Sequence, residues 1–128
     1  MTRTAFPLGL IALTAVLGLS ACAKRTEPIG DAGICYHVVA DKAGKLRFNK
    51  VVATPSLETC AANLEAMRLK FLSMGGSTDE LLGAYQANFI FLQREGVFTS
   101  TSLEGPRYLA LVRTGDGRLA IPGAMPQQ

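Results

Sequence analysis

Thr54-Pro55-Ser56-Leu57-Glu58-Thr59-Cys60-Ala61-Ala62-Asn63-Leu64-Glu65-Ala66-Met67-Arg68-Leu69-Lys70-Phe71-Leu72-Ser73-Met74-Gly75-Gly76 reads as one amphipathic helix between two sets of strand-like segments, and that placement decides the fold. Thr54 or Ser56 supplies an N-cap, Pro55 suits the first turn, and Glu58 lies near the positive end of the helix dipole. Leu57, Cys60, Ala61, Leu64, Met67, Phe71 and Met74 recur at steps of three and four, predicting an apolar stripe. Glu58, Glu65, Arg68 and Lys70 lie largely off it, and Gly75-Gly76 ends the helix.

Upstream, Ile34-Cys35-Tyr36-His37-Val38-Val39-Ala40 is rich in β-branched and aromatic residues. Asp41 to Lys45 forms a short loop, and Leu46 to Val52 returns with Leu46, Phe48 and Val52 on one side. Downstream, Ser77-Thr78-Asp79-Glu80 has capping-box spacing, which predicts one helical turn holding Leu81 and Leu82. Ala84 to Gln93 reads as one buried strand, Val97 to Leu103 as a half-exposed strand, and Arg107 to Arg113 as a third. Thr114-Gly115-Asp116-Gly117 turns into Arg118 to Ile121. The expected fold class is α+β in the order ββαββββ, with the helix packed on one antiparallel sheet or on a half-open barrel.

The amino-terminal segment bears on location. Ala5 to Ala21 carries no charge and follows Arg3, as in an export signal. At its end Leu19-Ser20-Ala21-Cys22 resembles the lipobox of bacterial lipoprotein precursors. The resemblance implies cleavage before Cys22, acylation of Cys22, and anchoring of residues 22–128 to a membrane leaflet. Ala23 in place of Asp favours the outer membrane over the inner, facing the periplasm. The run is too short, with Pro7 and Gly9 inside it, for the roughly 20 apolar residues of a spanning helix.

On this reading residues 1–21 are a signal, 22–33 a flexible tether, 34–123 a single domain and 124–128 a loose tail. A tether from Ala23 to Gly33 reaches at most roughly 40 Å. Once Cys22 is acylated, Cys35 and Cys60 remain, and an oxidising compartment implies a disulfide between them.

Composition excludes some classes. Thirteen Lys and Arg stand against ten Asp and Glu, a net charge of +3 without a basic stripe, so no nucleic-acid partner is expected. Lys42, Lys45, Arg47 and Lys50 form the one dense cationic group. A solvated turn and strand face accounts for it, and the sharper reading is contact with an anionic lipid or glycan.

No catalytic set emerges. Cys35, His37 and Cys60 have the ligand types of a zinc or copper site, but a disulfide would remove two of the three. The cysteines lack the Cys-x-x-Cys arrangement of redox pairs. Glu58 with Glu65, and Asp79 with Glu80, are expected to be solvated carboxylates. Most aromatics are expected in the core, with Tyr36, Tyr85 and Tyr108 reaching the surface. No metal and no cofactor are expected.

The sequence thus predicts a noncatalytic accessory or protein-interaction module of the cell envelope, held at the membrane through acylated Cys22. Its candidate partner surface is Lys42, Lys45, Arg47, Lys50, Tyr36, Tyr85 and Tyr108. The alternatives are a binder of an envelope ligand or an inhibitor of a hydrolase, and a small metal- or redox-active protein using Cys35, His37 and Cys60.

Overall fold

The computed structural model describes residues 25–76 and 80–123. The lipobox with Cys22, most of the S-x-x-E motif and the 124–128 tail lie outside the described residues. Seven strands and one helix follow in the order β1 (Ile34–Ala40), β2 (Leu46–Ala53), α1 (Leu57–Ser73), β3 (Leu81–Tyr85), β4 (Asn88–Gln93), β5 (Gly96–Ser100), β6 (Tyr108–Arg113) and β7 (Leu119–Ala120). All pairings are antiparallel, in the spatial order β2-β1-β3-β4-β5-β6-β7. The architecture is an α+β fold with an open sheet, not a half-open barrel.

The opening hairpin forms as predicted, but Leu46, Phe48 and Val52 do not share one side: Val52 joins the helix-side core and Leu46 and Phe48 the opposite one, across a register shift between Cys35 and Tyr36. The Asp41 carboxylate accepts hydrogen bonds from the Ala43 and Lys45 amides at 2.9 and 2.8 Å, closing the turn. Ser56 caps α1, its Oγ accepting from the Thr59 amide at 3.1 Å. At the other end Gly75 takes a positive φ of 84°, while the Gly76 amide reaches back to the Phe71 carbonyl at 2.9 Å. This is a Schellman stop, which satisfies carbonyls the helix would otherwise leave unpaired.

After the helix the structure departs from the expected order. Leu81 and Leu82 open β3 instead of forming a helical turn, and the strand expected over Ala84 to Gln93 is split in two. The split falls at Gln86 and Ala87, whose φ values of 44° and 64° give the doubly positive turn that suits a two-residue hairpin. Five strands therefore follow the helix, not four. β5 also stops at Ser100, because the chain leaves the sheet: Ser100 Oγ donates to the Ser102 carbonyl, and Ser102 Oγ accepts from the Gly105 amide.

Two apolar layers flank the sheet. On the helix side Cys60, Ala61 and Leu64 meet Cys35, Tyr85, Ile90, Leu92, Val97 and Leu111. On the opposite side Val38, Ala84, Phe89 and Phe91 are buried beneath Tyr36, Phe48, Leu82, Phe98 and Leu103. β4 is buried on both faces, so its run of Phe89-Ile90-Phe91-Leu92 sends alternate residues into the two layers. Phe48 on β2 stacks on Phe89 of β4 at 6.5 Å between ring centroids. Their strands are three spacings apart, about 14 Å in a flat sheet, so the sheet curls and the rings lean together over the small Ala84.

A disulfide joins Cys35 on β1 to Cys60 on α1, with Cα atoms 5.3 Å apart. It pins the first full turn of the helix to the sheet. Residues 25–33, expected within the tether, form no helix or strand but are hydrogen-bonded across the second face. The Leu103 amide donates to the Thr26 carbonyl, Thr26 bonds the Glu104 carboxylate through amide and hydroxyl, and the Ala87 amide donates to the Ile29 carbonyl.

Candidate functional site

The helix is fully buried only in its first half. Seventeen residues at 1.5 Å each make about 25 Å, and the buried part of the stripe ends at Leu64 and Glu65. Beyond it the expected stripe emerges into solvent, with Phe71 44% and Met74 67% exposed, joined by Leu72 at 40%. The sequence places Phe71 and Met74 in the core; the structure leaves both at the surface, past the last fully buried residue of the stripe, Leu64.

Beside Phe71 the sheet opens. Pairing of β1 with β3 stops at Val38 and Leu82, so Val39 and Ala40 separate from Leu81. The result is a cleft of about 500 Å³ lined mainly by apolar residues, among them Phe71, Val39, Ala40, Leu46, Leu81 and Leu103. Glu80 and His37 supply its polar edges. Burial lowers the pKa of His37, which favours the neutral imidazole. Glu80 is engaged elsewhere, accepting from Gln93 at 2.6 Å and from Arg107 at 3.0 Å. Arg107 itself lies over the Phe91 ring, 3.6 Å from its centroid, and so caps the second apolar face.

The Cys35–Cys60 bond occupies both sulfurs, leaving His37 without the two soft donors that a metal or redox reading requires. Among the described residues no group of three or more His, Cys, Asp or Glu is placed to hold a metal ion.

Glu65 is the main correction among the carboxylates. Expected to be solvated, it is 4% exposed and held by two guanidinium groups. Arg113 Nε and Nη2 approach it at 2.8 and 3.0 Å, and Arg68 Nε and Nη2 at 3.0 and 2.9 Å. Burial alone would raise its pKa; the bonds from Arg113 and Arg68 outweigh burial and hold it at about 2. Arg113 also donates to the Gln93 and Arg94 carbonyls, so one side chain ties β6 to α1 and to the β4–β5 turn.

The expected partner residues are dispersed. Lys42, Lys45, Arg47 and Lys50 are exposed along the first turn and the outer strand β2, and make no ion pair among the described residues. Tyr36 is half-buried, edge-on to Phe48, its hydroxyl donating to Asp31 at 2.7 Å. Tyr85 is not a surface residue: it is 4% exposed and its hydroxyl donates to the Thr54 carbonyl at 2.7 Å. Tyr108 is 65% exposed and begins β6.

The two sides of the sheet differ in their protection. β2 carries Arg47 and Lys50, charges that discourage a further strand from adding. On the other side β7 pairs only with Val112 and Arg113, so among the described residues no strand pairs the outer edge of Tyr108-Leu109-Ala110-Leu111. That stretch has no charge, and Leu109 is 46% exposed.

No family model, no curated protein and no solved structure matches this chain. Among the described residues no helix is long and apolar enough to cross a membrane.

Proposed function

We propose that this protein is a lipid-anchored, periplasm-facing module of the cell envelope, favouring the outer membrane, that performs no chemistry of its own and docks a partner protein along the open edge of β6. The carrying observation is that unpaired, uncharged edge with Tyr108 and Leu109 exposed on it. An extended segment of a partner adds there by backbone hydrogen bonding, with the tyrosine and leucine side chains giving selectivity. The lipobox resemblance at Cys22 supports the anchor. With Thr26 bonded to Leu103 and Glu104, only residues 22–25 separate that anchored point from an acylated Cys22, a chain length of at most about 14 Å. The domain then works against its own leaflet.

The test is site-specific photocrosslinking in cells, with the reactive group placed at Leu109 on β6 or at Asn49 on β2. A discrete envelope protein captured from Leu109 and not from Asn49, and lost in Cys22→Ser, supports the reading. Equal capture from both strands, or none, overturns it. Mass spectrometry of the amino-terminal peptide checks the acyl modification separately.

A further inference from the structure

We infer that the end of the domain carrying Phe71, Leu72, Met74, Lys42 and Lys45 lies on an anionic bilayer leaflet, the apolar side chains in the interface and the lysines at the headgroups. Three observations converge there. First, the last turns of α1 expose large apolar side chains, Met74 at 67%, with Lys70 among them. Second, Ala40 and Leu46 line the same cleft as Phe71, and the turn they flank carries Lys42 and Lys45, with Arg47 next in sequence. Third, Leu103 lines that cleft too, and its amide donates to the Thr26 carbonyl, which brings Thr26, four positions after Cys22 in sequence, to this end.

The charge balance fits a lipid surface. Among the described residues the acids at this end have partners within the domain: Asp41 closes the turn, Glu80 pairs with Arg107, and Glu104 binds Thr26. The cations are exposed, and Lys or Arg near an anionic leaflet adds attraction that falls off within a Debye length. Apolar side chains ringed by lysine are the composition of interfacial anchors. The third observation rests on the anchored reading above; the first two do not.

The chain contains no tryptophan, so Phe71→Trp introduces a single optical probe. The full chain with this change, and its Cys22→Ser counterpart, are mixed with vesicles of phosphatidylglycerol and phosphatidylethanolamine, or of phosphatidylcholine, each doped with brominated lipid. The expected result is a blue shift with bromine quenching in the anionic vesicles and much less of both in phosphatidylcholine. Tyr108→Trp, on β6 and so four strands across the sheet from β1, stays unquenched. Replacing Lys42 and Lys45 by Gln weakens the charge-dependent partitioning of the Cys22→Ser form by roughly tenfold or more.

Equal quenching at positions 71 and 108, or quenching indifferent to lipid charge, overturns the proposal. So does a blue shift without bromine quenching, which would mean that protein covers Phe71. An acylated Cys22 with Phe71→Trp unquenched leaves the anchor standing and sinks the docking; an unmodified Cys22 with charge-dependent quenching does the reverse.

Discussion

Glu65 and Arg113 are 48 positions apart in the chain and meet at 2.8 Å, closing the helix onto the far side of the sheet. The carboxylate is bound more tightly as an anion in the folded chain than in the unfolded one, since its pKa falls from 4.5 to about 2. Its contribution is therefore fully present above about pH 4.5 and is lost as pH falls towards 2, with an upper size of about 3 kcal/mol. Glu65→Gln should lower stability at pH 7 by about 2–4 kcal/mol, because Arg68 and Arg113 lose their counter-charge at a largely buried position. Urea unfolding between pH 7 and 2 checks this. The variant's stability should fall less steeply with acid than that of the parent, and parallel profiles would remove Glu65 from the account.

The Cys35–Cys60 bond closes a loop with a sequence separation of 25. The chain-entropy estimate for a loop of this size is about 3.5 kcal/mol. For a domain of this length that is a large share of net stability. Cys60→Ser should thus lower the unfolding midpoint strongly. The parent should show no thiol at Cys35 or Cys60 when denatured without reductant. Two reactive thiols there, or an unchanged midpoint, would contradict the bond.

These two cross-links also mark what the sequence discloses. The helix, its cap at Ser56 and its stop at Gly75 follow from local spacing and turn chemistry. The opening hairpin follows from its β-branched residues and the Asp41 turn. Glu65 cannot be read as buried from the sequence, because its partner Arg113 stands at the end of β6, with three strands between it and the helix in the chain. Phe71 and Met74 obey the periodicity of the stripe but are exposed, and sequence periodicity carries no information on where the opposing core stops. Tyr85 looks like a surface tyrosine until Thr54 supplies a carbonyl for its hydroxyl. The turn at Gln86-Ala87 carries no sequence signal, because neither residue type favours positive φ. The free edge of β6 depends on how short β7 is, which its mixed composition does not announce.

Gly83 sits on β3 directly beneath Leu64 of α1. A Cβ there would stand 2.3 Å from Leu64 Cδ1 and 3.0 Å from the Tyr36 carbonyl oxygen. Leu64 is fully buried and has little room to withdraw. Gly83→Ala should destabilise by about 1–3 kcal/mol through overpacking. Leu64→Ala alone costs about 2–5 kcal/mol from the cavity it leaves. Together they should cost less than their sum, since the new methyl enters space the leucine vacates. Additive losses in a double-mutant cycle would show that the two positions do not touch.

Ala87 offers the opposite sign. Its φ of 64° is left-handed, a conformation that costs a residue with a Cβ roughly 1–2 kcal/mol and glycine almost nothing. Gln86 shares the turn, but its amide donates to the Tyr85 hydroxyl at 2.8 Å and is best retained. Ala87→Gly should therefore stabilise the chain, by about 0.5–1 kcal/mol after the added freedom of glycine in the unfolded state is subtracted. The gain should appear as a higher urea midpoint with an unchanged slope, because the surface exposed on unfolding stays the same. A loss of stability would mean that the β3–β4 turn does not hold Ala87 in the left-handed region, and the split of that segment into two strands would have to be redrawn.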